Sequence, residues 1–457
     1  MRGSDQTELL VDLYELTMAQ SYYDHGTQDQ ATFSLFVRRL PPNRGYLVAA
    51  GLESVLRFLE EFHFSRKALD YLDSLSIFSP DFLAFLSNVR FTGDVWAIPE
   101  GRLVFADEPL LEVSAPVIEA QIVETFLINQ VNLQTLIASK AARCIDAAQG
   151  RTLVDFSLRR TQGVDAGLKT ARACHLVGFQ ATSNVLAGKL YGIPVSGTMA
   201  HSFVTAYEHE LDAFRAFAAT FPERCVLLID TYDTVDGARK AVQVGREMKE
   251  RGLRLAGVRL DSGDLLTLSK EVRSILDAAG FDYVQIVASG GLDEFEIEGL
   301  LKEGAPIDAF GVGTKMGVSA DAPFLDMAYK MVSFGDRPVL KLSTGKLSLP
   351  GAKQVYRIYD LQRAAHHDVL AARLEAIDDG EPLLVKVMEK GKCTAPHASL
   401  ETSRRRFSED LRRLPAPHRR LSGPSEYSVN ISAGLRELAR SIGERAKALS
   451  AEELGES

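Results

Sequence analysis

Apolar residues recur at helical spacing over residues 7–25, where Leu9, Leu10, Leu13, Leu16, Met18 and Ala19 share one face. They do so again over 51–64, through Leu52, Val55, Leu56, Phe58 and Leu59. Between these helices, 32–37 reads as a strand that ends at Arg38-Arg39 and Pro41-Pro42. Residues 91–116 change character: β-prone runs broken by Gly93, Gly101, Pro109 and Pro116 predict a small β-rich module. Helical spacing returns over 117–148, long enough to link two domains.

From residue 151 apolar runs of strand length alternate with helical stretches such as 237–251 and 266–279. The strand candidates are 152–156, 193–196, 226–230, 255–261, 284–289, 309–312 and 329–333. Such alternation implies parallel strands joined by crossover helices. About seven units predict an irregular (β/α) barrel, with a second α+β domain formed from the N-terminal part and later segments. The expected division is an N-terminal α+β domain over 1–116, a linking helix over 117–150, the catalytic β/α domain over 151–335, and 336–457 returning to the first domain before a helical arm.

Function in such folds sits at the C-terminal strand ends, and polar clusters follow nearly every predicted strand. They are Asp155 to Gly163, Gly178 to Asn184, His201-Ser202, Asp230 to Thr234, Arg259 to Asp264, Ser289-Gly290-Gly291 and Gly311 to Lys315. Each has an ordinary reading as well. Asp230 and Asp233 suit capping of the helix that follows, the glycines suit tight turns, and Arg159-Arg160 suits a solvated pair. Taken together, the glycine turns and helix N-termini offer backbone N–H groups to phosphate. The arginines suit carboxylate or phosphate, and the carboxylates suit ribose hydroxyls or Mg²⁺. The unaided reading is an enzyme acting on an anionic, phosphorylated small molecule, with a sugar phosphate the natural choice.

Composition narrows this little. With 457 residues, 46% hydrophobic and 25% charged, the chain is an ordinary globular protein long enough for two or three domains. A net charge of −9 argues against a general nucleic-acid binder. Four separated cysteines without a CxxC pair give no zinc signature and no disulfide framework, so a reducing cytoplasm is expected and no metal ligands are assigned. No apolar run reaches membrane-spanning length, and the N-terminus lacks a signal-peptide pattern. Within this acidic chain Arg404 to Arg406, Arg412-Arg413 and Arg419-Arg420 form a basic stretch, expected to be a solvated arm packed on the acidic body, followed by an amphipathic helix over 432–449.

The ordered set 12–14 (DLY), 33–39 (FSLFVRR), 49–52 (AAGL), 158–163 (LRRTQG), 183–188 (SNVLAG), 197–203 (GTMAHSF), 230–234 (DTYDT), 259–263 (RLDSG), 310–314 (FGVGT) and 341–357 resembles the nicotinate phosphoribosyltransferases, among the type II phosphoribosyltransferases. The resemblance implies conversion of nicotinate and 5-phosphoribosyl 1-pyrophosphate to nicotinate mononucleotide and pyrophosphate. It also implies ATP as co-substrate through a phosphohistidine, Mg²⁺ accompanying the phosphorylated substrates, and a homodimer with shared active sites.

Under this resemblance His201 matches the phosphorylated histidine, and Asp230, Arg259 and Asp261 match groups around the ribosyl phosphate. Tyr14, Phe156, Arg159 and Ser183 match the surroundings of the pyridine ring, Tyr14 reaching it from the neighbouring subunit. Ser202, Gly290, Gly291, Gly311, Gly313 and Thr314 match phosphate contacts, and Arg38, Arg39, Lys341 and Lys346 resemble basic groups near pyrophosphate or ATP. Nicotinamide-type relatives place an aspartate where Ser183 stands, and a carboxylate there would repel that of nicotinate. The alternatives are a nicotinamide enzyme, a sugar-phosphate isomerase or aldolase using Lys315, and a catalytically silent binding protein.

Overall fold

The apolar run at 32–37 becomes the inner part of strand Gln30–Val37, buried along most of its length. In the computed structural model, which describes residues 7–341 and 348–453, this strand lies between two antiparallel neighbours, Met327–Phe334 and Pro109–Pro116. The full sheet runs Arg337–Pro338, Met327–Phe334, Gln30–Val37, Pro109–Pro116, Asp94–Ala97, Val385–Glu389, Lys392–Cys393. Phe33 stacks on Tyr329 at 4.7 Å between ring centroids, and the Tyr329 hydroxyl donates to the Ala120 carbonyl at 2.9 Å. The strand expected at 329–333 is therefore a member of this antiparallel sheet and not a seventh barrel strand. An apolar run is compatible with either pairing; the partner decides.

This sheet belongs to the first of two compact units, Met1–Leu136 with Phe324–Ser457; the second is Ile137–Pro323. The division falls inside the helix Glu124–Ala147, which follows a separate short helix, Val117–Ile122.

A four-stranded sheet in the first unit, Glu381–Pro382, Lys353–Tyr359, Ala365–Ala372, Val429–Ile431, carries a buried ionic network. Arg357, 2% exposed, donates to Asp368 at 3.0 and 2.7 Å, to Asp410 at 3.1 Å and to the Leu103 carbonyl at 2.8 Å. Arg102 joins Asp410 and Glu381 to the same network. Asp410 comes from the arginine-rich stretch, so that stretch is less solvated than its charge suggests. It folds as helix Leu400–Arg413 with Ser403, Phe407 and Asp410 buried. At Gly101 an added Cβ would stand 2.1 Å from the Ser403 carbonyl oxygen, so only glycine allows the helix this approach. The terminal amphipathic helix is Ala433–Glu453.

The second unit is the parallel α/β domain. Its sheet runs Ala181–Thr182, Thr152–Asp155, Ala309–Val312, Gln285–Ser289, Gly257–Leu260, Val226–Leu228, every pairing parallel. Crossover helices Thr234–Glu250, Leu265–Ala278 and Glu294–Lys302 return the chain. The first packs closely on its strand: a Cβ on Gly237 would meet the Ile229 carbonyl oxygen at 2.0 Å. Residues 193–196 supply one parallel bridge, Val195 to Thr182, rather than a full strand. The two-residue strand Ala181–Thr182 was too short to show as a periodic pattern. Among the described residues no pairing joins Val226–Leu228 to Val195, so the ladder has six strands and one bridge where about seven strands were expected.

Candidate active site

Because neighbouring strands run parallel and in register, Arg259 standing opposite Val287 and Leu228, their C-terminal ends deliver Asp230, Asp261 and Ser289 to one edge of the sheet. Asp230 does not cap the next helix; Asp233 does, accepting from the Asp236 N–H at 2.8 Å. Asp230 Oδ2 accepts instead from the Asp261 N–H at 2.9 Å and the Ser262 hydroxyl at 2.6 Å. Its Oδ1 is buried with no hydrogen-bond partner among the described residues. Asp261 Oδ1 accepts from Ser289 Oγ at 2.5 Å.

His201 opens the short helix His201–Thr205. Its Nδ1 lies 3.2 Å from Thr231 Oγ1, and its Nε2 faces Asp261 Oδ2 across 4.0 Å, the two side chains being 43% and 34% exposed. That gap is too wide for a hydrogen bond. Thr231 can orient the ring through one nitrogen while the other stays available to a ligand. Arg259 comes from the strand between them. Its Nη1 donates to Thr198 Oγ1 at 2.6 Å, while Nε is buried without a partner among the described residues. Burial pushes the guanidinium below its ordinary value; Arg159 adds to this, and Asp261 and Asp230 oppose it. A desolvated arginine sensing a second arginine is an arrangement that an anion would relieve.

The glycine turns divide into two kinds. Gly290 has φ +94°, and a Cβ there would stand 1.9 Å from the Asp261 carbonyl oxygen; this glycine lets two strand ends meet. Gly291, at φ +68°, faces open space. The N-terminus of the helix that follows is occupied by its own carboxylate, since Asp293 accepts from the Phe295 and Glu296 N–H groups in a capping box. The helix after Gly313, Thr314–Gly317, has no side-chain cap. Gly311 serves packing: a Cβ would lie 2.4 Å from the Phe156 ring. Phe156 extends its strand by donating its N–H to the Val312 carbonyl at 2.8 Å, and the ring is only partly buried.

Beside it Asp155 is buried, and burial raises its carboxyl against hydrogen bonds from Ser157 and Thr182. It accepts from Ser157 N–H and Oγ at 2.9 and 2.5 Å and from Thr182 Oγ1 at 2.7 Å. The Ser183 N–H donates to the Asp155 carbonyl at 2.8 Å, which fixes the Ser183 backbone beside the Phe156 strand. Ser183 is partly buried, and Arg159, Ser202 and Thr314 are exposed. The supporting residues Asp155, Thr231 and Ser289 lie within the polar clusters the sequence displays and Thr198 within the 197–203 motif, but their bonding roles depend on geometry that periodicity does not carry.

The remaining candidates belong to the first unit. Tyr14 lies on the helix Leu13–Asp24, about half exposed; partial burial and then the Glu124 carboxylate, which accepts a hydrogen bond from its hydroxyl, push it well above the ordinary phenol value. Arg38 and Arg39 both pair with Asp326, at 2.8 and 3.1 Å. Lys341 is exposed, and Lys346 lies outside the described residues. In the second unit, Lys315 pairs with Glu296 at 2.6 Å, and that bond raises its pKa. A Schiff-base lysine needs the opposite shift, which removes the ground for the aldolase alternative.

A parallel α/β domain with carboxylates, an incompletely bonded arginine and a half-exposed histidine at its strand ends is the frame of an enzyme for anionic, phosphorylated substrates. Family models define it further. Residues 9–132 match the nicotinate phosphoribosyltransferase N-terminal domain, 152–335 the nicotinate phosphoribosyltransferase family, and 378–439 the C-terminal domain. The chain is 47% identical to nicotinate phosphoribosyltransferase pncB2 of Mycobacterium tuberculosis over 94% of this chain and 93% of that protein. It is 39% identical to the nicotinate phosphoribosyltransferase of Bacillus subtilis, with the same shares covered. The crystal structure of human nicotinic acid phosphoribosyltransferase superposes with a TM-score of 0.86 at 32% identity, covering 95% of this chain and all of that one. The chain belongs to the nicotinate phosphoribosyltransferase family.

Proposed function

We propose that the chain joins nicotinate to 5-phosphoribosyl 1-pyrophosphate, giving nicotinate mononucleotide and pyrophosphate, and couples this to ATP hydrolysis through His201. The observation that carries this reading is the His201 Nε2, without a hydrogen bond among the described residues and 4.0 Å from Asp261 Oδ2, at strand ends that also hold Asp230 and Arg259. In the coupling step Nε2 attacks the γ-phosphorus of ATP; an N–P bond forms, the bridging P–O bond breaks and ADP leaves. Water later takes the phosphoryl group and restores the imidazole. The added charge of about −1.5 to −2 enters a site whose Arg259 is desolvated and short of an anion.

In glycosyl transfer, positive charge develops on the ribosyl ring as pyrophosphate departs. Asp230 and Asp261 stand ready to hold the ribose hydroxyls and stabilise that charge. Phe156 offers a ring face to the pyridine, Arg159 a guanidinium to its carboxylate or to phosphate, and Ser183 a neutral donor in place of a repelling carboxylate. Gly291 and the uncapped turn at Gly313 offer backbone N–H groups to phosphate. The carboxylates fit Mg²⁺: they are hard oxygen donors, and Asp230 Oδ1 lacks any other partner among the described residues. Asp230 and Asp261 would hold the ion, which when bound with substrate neutralises charge on the departing pyrophosphate. We place Tyr14 in the site of a second copy of the chain, in a homodimer.

The test is a product assay with nicotinate, nicotinamide and quinolinate, each with and without ATP. Nicotinate mononucleotide formed from nicotinate, and faster with ATP, is the expected result. Equal use of nicotinamide removes the acid selectivity, and indifference to ATP removes the coupling.

A further inference from the structure

Within the first unit, and independent of the reaction, three side chains of mixed donor type converge where helix Leu52–Glu61 meets the hairpin Val385–Glu389/Lys392–Cys393. Glu60, Cys393 and His397 each place one ligand-type atom within 4.8 Å of the others. We propose that this cluster is a binding site for a borderline-soft divalent cation of the zinc type, tying the hairpin to the helix.

The sequence supplies the ligands in a usable spacing. Cys393-Thr394-Ala395-Pro396-His397 is a Cys-x₃-His pair, and residues three to five apart on one turn commonly share a zinc ion. A search for CxxC alone passes over it. The backbone also holds the cysteine firmly. The turn before it is packed so closely that a Cβ on Gly391, at φ +74°, would meet the Phe91 carbonyl oxygen at 2.1 Å, and the Gly391 N–H donates to the Gly93 carbonyl at 2.8 Å. Just after it, Thr394 donates through N–H to the Val387 carbonyl at 3.0 Å and through Oγ1 to the Lys386 carbonyl at 2.9 Å.

Glu60 already reaches the cysteine: its Oε1 accepts the Cys393 N–H at 2.9 Å, and its carboxylate also accepts from the Cys393 thiol, whose proton a cation would replace. His397 brings one ring nitrogen into the cluster, and its Nδ1 is buried with no hydrogen-bond partner among the described residues. Packing of the hairpin against the helix explains the Glu60–Cys393 bond but leaves that nitrogen unexplained, and a cation explains both. Ligand bonds of about 2.0–2.3 Å in tetrahedral geometry would draw the three donors to roughly 3.3–3.8 Å apart. That requires an approach of about 1 Å from side chains that are exposed or half-buried. One sulfur, one nitrogen and one oxygen suit zinc or cobalt over magnesium or calcium, which take oxygen alone. Water would fill the fourth position.

The full-length, untagged chain, stripped with a chelator, is loaded with zinc in excess magnesium, passed through gel filtration and assayed for metal per chain. Cobalt is then used as a spectroscopic probe. Cys144, Cys174 and Cys225 are buried and Cys393 alone is accessible, so a thiolate-to-cobalt charge-transfer band reports on Cys393. The expected result is one zinc per chain and a thiolate band in the wild type. Cys393→Ser should lose both the band and the zinc. His397→Ala, at a partly exposed loop position, should lose at least tenfold in zinc affinity with unchanged circular dichroism, and it serves as the reading if the serine variant does not fold. Zinc well below one equivalent in the wild type, or His397→Ala retaining wild-type zinc affinity, overturns the proposal.

Discussion

Arg357 and Arg259 are both arginines held largely out of water, and the two units use them in opposite ways. Arg357 meets Asp368 through two nitrogens, Asp410 through a third and a backbone carbonyl besides; despite burial, those carboxylates hold it well above its ordinary value. Arg259 has a threonine hydroxyl and a buried Nε with nothing to donate to among the described residues, and burial pulls it below its ordinary value. The same side chain, fully buried in one unit and partly buried in the other, is a finished structural bond in the first and an unfinished one in the second. Depth alone does not mark a functional residue. An unmet hydrogen-bonding capacity at a strand end does, because buried polar groups are otherwise paired.

The contrast can be broken by substitution. The largest effect is expected from His201→Ala. ATP hydrolysis and the acid-labile phosphoprotein should fall by a thousandfold or more, about 4 kcal/mol, while slow phosphoribosyl transfer survives at high substrate. Stability should change by less than about 0.5 kcal/mol, because the side chain is half exposed. Undiminished ATP hydrolysis removes His201 from the mechanism.

Next comes Arg357→Ala, which leaves Asp368 and Asp410 buried and short of a counter-charge. Urea unfolding should show a loss of about 3–5 kcal/mol, with activity per folded molecule unchanged. Arg259→Met is the sharpening counterpart. It should cost about a hundredfold in kcat/KM for the phosphoribosyl donor, roughly 2.7 kcal/mol, and leave stability unchanged or higher. A stability loss matching that of Arg357→Ala would erase the distinction between the two arginines.

Ser183→Asp should cost one to two decades in kcat/KM for nicotinate, about 1.4–3 kcal/mol, while nicotinamide is affected less or used better. Equal losses on both substrates would remove Ser183 as the selector between acid and amide.

The smallest effect concerns the first unit's own unfinished carboxyl. Glu15 Oε2 lacks a partner among the described residues. Burial, with Glu124 and Asp12 adding to it and hydrogen bonds from Thr125 opposing, raises the group from 4.5 to about 8. The unfolded chain releases this proton near 4.5 and the folded chain keeps it to about 8. Its stabilising effect is therefore complete at low pH and is lost as pH rises through that window. The drop in Tm from pH 5 to pH 8 should be smaller in Glu15→Gln than in the wild type; an identical drop assigns the pH dependence elsewhere.

The parallel strands and their polar ends were legible because apolar runs of strand length stop abruptly at motifs such as 230–234 and 259–263. What escaped was what periodicity does not encode. Ala181–Thr182 is too short for a pattern. Residues 329–333 are apolar enough for any buried strand, and only their pairing with Gln30–Val37 distinguishes them. Asp233 and Asp230 are three residues apart with the same side chain, yet one caps a helix and the other holds the next strand end. That difference rests on which N–H groups lie in front of them. The supporting hydroxyls of Thr198, Thr231 and Ser289 stayed unassigned for the same reason.

The pairing of Gln30–Val37 with Met327–Phe334 also sets a schedule for biosynthesis. Roughly 300 residues separate Phe33 from its partner Met331, and a ribosome adding about 5–20 residues each second takes roughly 15–60 s to cover that distance. Throughout that interval the nascent strand can pair on one side only, with Pro109–Pro116, and its other edge stays open to unintended partners. The intervening α/β unit can form in the meantime from contacts of its own. The central sheet of the first unit is therefore among the last parts of the protein to be completed, and the cell must shield its edge until then.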